Sequence, residues 1–457
     1  MRDWTPERIA RAAGARLLSG QAAAGGPERA VIDSREAGRG TLFIGLPGQQ
    51  TDGGEFAEHA LRAGAWGVLT DPGRAEAVAC VTGDGSGPGA VIAAEDPLRA
   101  LQLLAHAWRH ELGAKVIGVT GSTGKTSTKD LLLAVLAPHH RTVASRANYN
   151  TEIGLPLEIL AAPMGTEVLV LEMAMRGAGQ IAELAGIAEP DVGVIVSIGP
   201  VHLELLGTIE AIAAAKAELI DALRPGCTAV VPAGEPLLEP HLRADLDTIT
   251  FGDDGDVRLH GADGDRLQVD LAGRPITLEV SFEQAHLRRN LLAAVAAASA
   301  VGVVPEGRVQ LVLTRGRGER VALPGGVTMI DDCYTANPMS TRAALEDLAA
   351  TAAREEHPRT VAVLGDMLEL GPGERRFHQE VGQQANAAGV DLLVTVGPRA
   401  AAMRERFAGT VHSVADAAEA AALVPGLLDA GDLVLVKGSR GVGLELVCAA
   451  LRDGVVA

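Results

Sequence analysis

Residues 116–129 read VIGVTGSTGKTSTK, an apolar run that halts at glycines and resumes with Lys125 and Thr126. Residues of these types in this order can hold phosphates. Gly121 and Gly124 permit backbone conformations that turn successive N–H groups toward an anion, and the start of a following helix adds its positive end. Ser122, Thr123 and Ser127 supply the remaining polar surface of the loop. Lys125 has the reach to touch the terminal phosphates and Thr126 the hydroxyl to ligate magnesium. The position five residues before Gly124 is Val119 rather than glycine, so the loop has the short form G-x-x-G-K-T.

Three further side chains could join that chemistry. Glu172 closes the apolar run VLVLE and His202 follows VSIGPV. A carboxylate and an imidazole at the ends of strands, on the cradle's edge of a sheet, can ligate magnesium or a bridging water. Taken singly, each would be an ordinary surface or capping residue. Lys216 lies in IEAIAAAKAELI, whose Ile, Ala and Leu positions mark a packed helical face. A lysine there ordinarily lays its stem along the apolar surface and lifts its ammonium into water.

The elements that must position these residues are legible. Residues 168–173, 192–199 and 227–233 are continuous apolar runs of the kind buried on both faces of a parallel sheet, with helical stretches between them. They place a central P-loop domain at residues 113–313. Within it, residues 247–283 alternate polar and apolar positions, which predicts antiparallel hairpins at the edge of the sheet, before an Ala-rich helix that contains Asn290. Residues 1–112 alternate short strand-like and helical runs, predicting a small separate α/β domain. Its polar clusters around Ser34 and Arg35, and around Asp52 and Gly53, stand at strand ends, where turn chemistry alone also favours them. From residue 314 to 457 the βαβ alternation restarts, predicting a Rossmann-like third domain. Its strands end in Asp331-Asp332, Gly365-Asp366 and Lys437-Gly438-Ser439-Arg440, and no G-x-G-x-x-G follows its first strand. The fold class predicted is therefore α/β in three domains.

Composition bounds the function. The chain has 457 residues, with 40 basic and 58 acidic side chains and a net charge of −18, which argues against a general surface for nucleic acid or anionic membrane. Its four cysteines are far apart in sequence and form no C-x-x-C pair. The amino terminus carries charges through its apolar positions, unlike a secretory signal, and the apolar run at 291–304 is too short to span a bilayer. A cytoplasmic protein, expected to be a monomer, fits these features.

Six segments resemble the Mur ligases, ATP-dependent enzymes that add amino acids to the peptidoglycan precursor: NYNTEIGLPLEIL, LEMAMRGAGQI, IGPVHLELLGTIEAIAAAKAELI, IDDCYTANPMS, VLGDMLELG with FHQEVG, and LVKGSRGVGLE. Within the family the pattern is similar to the ligases that join D-alanyl-D-alanine to UDP-N-acetylmuramoyl-tripeptide. The resemblance implies ATP and two magnesium ions, with Lys125 on the phosphates and metal on Thr126, Glu172, His202 and a Lys216 carbamate. It implies that Asn148 and Asn150 lie near the substrate and nucleotide phosphates, that Arg317 reaches the γ-phosphate, and that Asp332 lies near the ribose. Asn290 falls in the nucleotide-binding segment. Asn337, Lys437 and Arg440 would help place the incoming dipeptide, and Ser34, Arg35, Asp52 and Gly53 the uridine nucleotide sugar.

The sequence departs from the family pattern where Leu287 stands in place of an asparagine that would face the adenine, and where Thr335 and Gly54 replace Asn and His. The D-N-P-R signature of the tripeptide synthetases is missing. Another Mur-type ligase, of tripeptide-synthetase or folylpolyglutamate-synthase kind, and a P-loop NTPase switch are the alternatives, separable by which acceptor stimulates phosphate release.

Overall fold

The computed structural model describes residues 1–20, 25–48, 51–82, 89–146, 148–314 and 316–454, with the backbone only at 81–82. Three sheets follow one another along the chain. The first has five strands in the spatial order Arg16–Ser19, Ala90–Ala93, Gly67–Thr70, Thr41–Ile44 and Arg29–Val31, parallel except for Arg16–Ser19. Its three inner strands, read as apolar runs in the sequence, are buried along their whole lengths. Arg16–Ser19 is a half-exposed edge strand with no such signature.

Helix Pro97–Leu112 leads from the first sheet to the second. Asp96 caps its start by accepting the N–H of Arg99, a proline occupies its first turn, and Gly113 ends it in the left-handed conformation. Trp108, on the buried face, meets Trp4 edge to face with centroids 5.4 Å apart and donates its indole N–H to the carbonyl of Ala162. Burying these two rings against each other, with the Trp108 N–H satisfied, ties the start of the chain to the helix that leads into the central layer.

The second sheet has ten strands. Its parallel core runs Asp247–Phe251, Thr228–Pro232, Val192–Ile195, Lys115–Thr120, Val168–Glu172 and Thr142–Ala144. Helices Lys125–Leu136 and Ala285–Ala300 pack together and bury Leu131, Leu132, Leu291 and Val295. Strands Val257–Asp263, Arg266–Leu271 and Arg274–Val280 form the antiparallel extension expected from their alternation. Asp247–Phe251 corrects that expectation: it pairs parallel to Thr228–Pro232, extending the parallel core by one half-exposed strand. Exposure of its outer face produces the same alternation as a hairpin strand, so periodicity could not distinguish the two.

The third sheet runs Glu319–Ala322, Thr328–Asp332, Leu433–Lys437, Thr360–Gly365, Leu392–Val396 and Thr410–Val414, all parallel but the first. No helix among the described residues is long and apolar enough to cross a membrane.

Register decides where chemistry can happen. Val119 pairs with Glu172, and Thr120 with Ile195, so the phosphate loop, Glu172 and the Ser197 turn leave the second sheet at one carboxyl edge. In the third sheet Asp332 pairs with Lys437 at the corresponding edge. Between the two edges lies a cleft of about 460 Å³, reached by Gly124, Ser127 and Asn290 from one side and by Arg317, Asp332 and Lys437 from the other. Ligands of open α/β sheets bind in such crevices.

Candidate active site

Gly121 (φ 153°) and Gly124 (φ 82°) both adopt backbone closed to ordinary side chains. A Cβ at Gly124 would also lie 2.7 Å from Asn290 Oδ1, so protein packing, as well as backbone angle, demands glycine there. Ser197 steadies the loop: its carbonyl accepts the Ser122 N–H and its hydroxyl oxygen the Thr123 N–H, each at 2.9 Å. Helix Lys125–Leu136 starts without a side-chain cap, and the N–H groups of Lys125, Thr126 and Ser127 have no partner among the described residues. Uncapped donors at the positive end of a helix, beside two left-handed glycines, form an anion seat.

The half-buried Lys125 arches back over that seat and donates its ammonium to the Gly121 carbonyl at 2.8 Å. Burial lowers its pKa; the Glu172 charge opposes that shift and Arg317 adds to it. Thr126 Oγ1 donates to Glu172 Oε2 at 2.8 Å, while Asn150 Nδ2 donates to Oε1 at 2.8 Å. Glu172 is buried, and Ser145 Oγ accepts its backbone N–H. The result is a carboxylate locked in orientation, with a threonine hydroxyl against one oxygen.

His202 sits beyond that carboxylate in left-handed backbone (φ 55°), and its Nδ1 hydrogen-bonds Glu369, itself left-handed (φ 62°), from the third sheet's side. Arg176 stands 3.4 Å from the other Glu369 oxygen. Burial lowers the His202 pKa, Glu369 opposes, and the ammonium groups of Lys125 and Lys216 lower it further. Lys216 is only 2% exposed. Burial, reinforced by Lys125, holds its amine well below the usual lysine range, and among the described residues no carboxylate forms an ion pair with it. The snorkelling geometry usual for a lysine on an apolar helix face does not occur here.

Arg317 enters from the third domain's side, its guanidinium carbon 4.3 Å from the centroid of the Tyr334 ring, with Arg440 at 5.4 Å from the same ring. Its approach is anchored three residues earlier, where Thr314 Oγ1 donates to Asp130 Oδ2 at 2.9 Å, Asp130 lying on the helix that begins at Lys125. A smaller pocket of about 100 Å³ brings Lys125, Thr126 and Arg317 together with Thr335, Asn337 and Ser340. Asn337 caps helix Pro338–Glu355 reciprocally with Ser340. Lys437, 1% exposed, spends its ammonium on Asp332 Oδ2 at 2.6 Å and the Thr335 carbonyl at 2.9 Å. It therefore acts on the cleft through Asp332, while the exposed Arg440 remains at the rim.

Thus Gly121, Ser122, Thr123, Gly124, Lys125, Thr126, Glu172, Asn150, His202, Lys216 and Arg317 gather at one place, and Ser127, Asn290, Asp332 and Lys437 line the adjoining cleft. The first sheet's residues stand apart. Ser34 and Arg35 form a turn capped by Asp33, which Arg35 holds down to a pKa of about 2. Asp52 caps the turn at Gly53 by accepting the Gly54 N–H, and Arg74 reaches its other oxygen at 3.4 Å. Asn148 is exposed, near Arg146, whose charge senses Glu36 of the first domain. Leu287 does not face the cleft: it is buried in the core, and its neighbours His286 and Arg289 line the cavity instead. Sequence reasoning missed Glu369 and Ser197 as partners of the site. Glu369 stands 167 residues from His202, and no spacing rule links them.

Comparison with known proteins accords with this geometry. The Mur ligase middle domain matches residues 119–298, and the Mur ligase glutamate ligase domain matches residues 316–440. The UDP-N-acetylmuramoyl-tripeptide–D-alanyl-D-alanine ligase of Bacillus subtilis is 36% identical over 91% of each chain, and that of Mycobacterium tuberculosis H37Rv is 37% identical over 92% of this chain and 91% of the relative. Crystal structures of MurF from Acinetobacter baumannii (TM-score 0.84, 26% identity, 99% of both chains) and of MurF ligase from Thermotoga maritima in complex with ADP (TM-score 0.79, 29% identity, 93% and 97%) share the fold. With both family domains spanning the site just described and such relatives along most of its length, the chain belongs to the Mur ligase family.

Proposed function

We propose that the chain is an ATP-dependent ligase that joins D-alanyl-D-alanine to UDP-N-acetylmuramoyl-tripeptide, a step of peptidoglycan precursor synthesis. The observation that carries this reading is the meeting of Lys125, Thr126, Glu172 and Arg317 around one anion seat, in a chain that matches a relative of that name over 91% of each sequence. ATP phosphorylates the tripeptide carboxylate, giving an acyl phosphate and ADP; the dipeptide amine attacks that carbonyl and expels phosphate. A carboxylate has no acceptable leaving group until it is phosphorylated, and two anions must first be brought together. Lys125 and Arg317 offset that repulsion from opposite walls of the cleft, and the helix N–H groups hold the phosphates in place.

The donor set fits magnesium. Thr126 Oγ1 and Glu172 Oε2, 2.8 Å apart, are hard oxygens held by buried partners, as a small divalent cation requires. A buried amine with a depressed pKa at Lys216 fits carbamylation, because only the neutral amine adds carbon dioxide; the carbamate and His202 would then hold a second ion. Bound magnesium would screen charge on the transferring phosphoryl group. Asn150 and Ser145 keep Glu172 oriented for that role. Asp332, tethered by Lys437, would meet the ribose, while Arg440 and Asn337 would face the dipeptide, and the turns at Ser34, Arg35, Asp52, Gly53 and Asn148 the nucleotide sugar.

The test is phosphate release with ATP, magnesium and each peptide separately and together. Release that requires both UDP-N-acetylmuramoyl-tripeptide and D-alanyl-D-alanine is expected, whereas release that ignores either peptide, or that prefers a single amino acid as acceptor, overturns the reading. Thr314→Val is expected to lower kcat roughly fivefold, the worth of one hydrogen bond of about 1 kcal/mol, by loosening the approach of Arg317. Unchanged kcat in that variant would remove Asp130 and Thr314 from the positioning of Arg317.

A further inference from the structure

His106 and His110 lie four residues apart near the end of helix Pro97–Leu112, and therefore on one face. Their Nε2 atoms are 3.3 Å apart. Glu189, from another element, places Oε1 3.1 Å from His106 Nε2 and Oε2 3.2 Å from His110 Nε2. The three side chains are 35%, 47% and 32% exposed, so solvent reaches them without dispersing them.

The carboxylate is held in place. Glu189 ends helix Gln180–Ala188 in left-handed backbone (φ 44°), a position usually given to glycine. Arg109, between the two histidines, donates Nε to the Ala188 carbonyl and Nη2 to the Glu189 carbonyl, both at 2.8 Å. The strained residue that carries the carboxylate is thus clamped to the helical turn that carries the imidazoles.

We propose that His106, His110 and Glu189 form a binding site for a first-row transition-metal dication of the zinc class, separate from the nucleotide cleft. Three donors about 2.0–2.1 Å from one ion at tetrahedral angles lie about 3.3 Å from each other; the two imidazole nitrogens are already 3.3 Å apart, and each has one oxygen of the Glu189 carboxylate at 3.1 or 3.2 Å. Two imidazoles and one carboxylate suit zinc, cobalt or nickel, while magnesium prefers all-oxygen surroundings, so the site selects against the cation expected at Glu172. A bound ion would join helix Pro97–Leu112, which links the first and second sheets, to the connection entering strand Val192–Ile195. Its fourth position would be open to water.

The test uses the full chain, freed of metal by a chelator and titrated with cobalt(II) in excess magnesium while visible absorption is recorded. One equivalent with the intense bands of a tetrahedral ion is expected. His110→Ala and Glu189→Gln should each weaken that binding at least tenfold without changing phosphate release. His106→Gln, which retains a hydrogen-bonding group toward Glu189, serves if the alanine variant does not fold. Cobalt affinity and spectrum unchanged by these substitutions, or abolished instead by His202→Ala, would overturn the proposal.

Discussion

Lys125→Ala is expected to reduce ATP-dependent ligation on the order of a hundred- to a thousandfold while the protein stays folded. The magnitude is that of removing one preorganised charge from a site where negative charge develops. The fold should persist because, among the described residues, the ammonium hydrogen-bonds the Gly121 carbonyl of its own loop and supports no other element. Burial already lowers its pKa, so removing a partly desolvated cation costs little in stability. Single-turnover formation of ADP, alongside thermal unfolding, separates the two effects. Activity within tenfold of the parent would mean that Arg317 and the helix donors carry the phosphate without Lys125. A collapse in melting temperature would show instead that the loop depends on it structurally.

Lys216→Met should cost activity on a similar scale, of order a hundredfold or more, for a different reason. The residue offers no charge to the phosphates; its proposed contribution is an anion formed from a neutral amine and carbon dioxide. Wild-type activity should therefore fall in carbonate-free buffer and recover with added bicarbonate, while the variant ignores both. A carbamate carbon signal from labelled carbon dioxide should appear only in the wild type. Stability should move the other way. The free amine in the folded protein has a pKa well below its unfolded value of 10.5, so the unfolded chain binds more protons between those limits. Without carbonate that penalty is present at neutral pH and fades as pH rises toward 10.5. Methionine lacks it, so the variant should melt higher than unmodified wild type at neutral pH, with the gap narrowing in alkali. Full activity in the methionine variant would reject the carbamate.

The legible part of the structure is the part whose physics is local. Strands Val168–Glu172 and Thr228–Pro232 are buried along their whole lengths, so their apolar runs announce them. Arg16–Ser19, Glu319–Ala322 and Thr410–Val414 lie at sheet edges, where half-exposed positions are filled by residues that also suit loops. In the site, Lys125 and Thr126 follow from glycines a few residues away. Arg317 came from family likeness, since nothing in its surroundings marks an arginine that crosses to another domain. The partners of His202 and Asp332, namely Glu369 and Lys437, are brought in by tertiary folding across more than a hundred residues. Lys216 shows the limit most clearly: the same helical pattern describes a snorkelling lysine and a buried one, and only the surrounding packing separates them.

The close approach of Asn290 to Gly124 bears on how this loop can be used as a diagnostic. A methyl group at position 124 would meet Asn290 Oδ1 at 2.7 Å and Val196 Cγ1 at 2.9 Å, so even a descendant that had lost its activity would be constrained to keep the glycine. Its presence in a diverged homologue therefore carries information about packing and little about turnover. Lys125, whose ammonium bonds its own loop, is the position expected to drift once phosphoryl transfer ceases to be selected. Among neighbouring positions of one motif, the lysine is thus the marker by which a living enzyme can be told from a retired one.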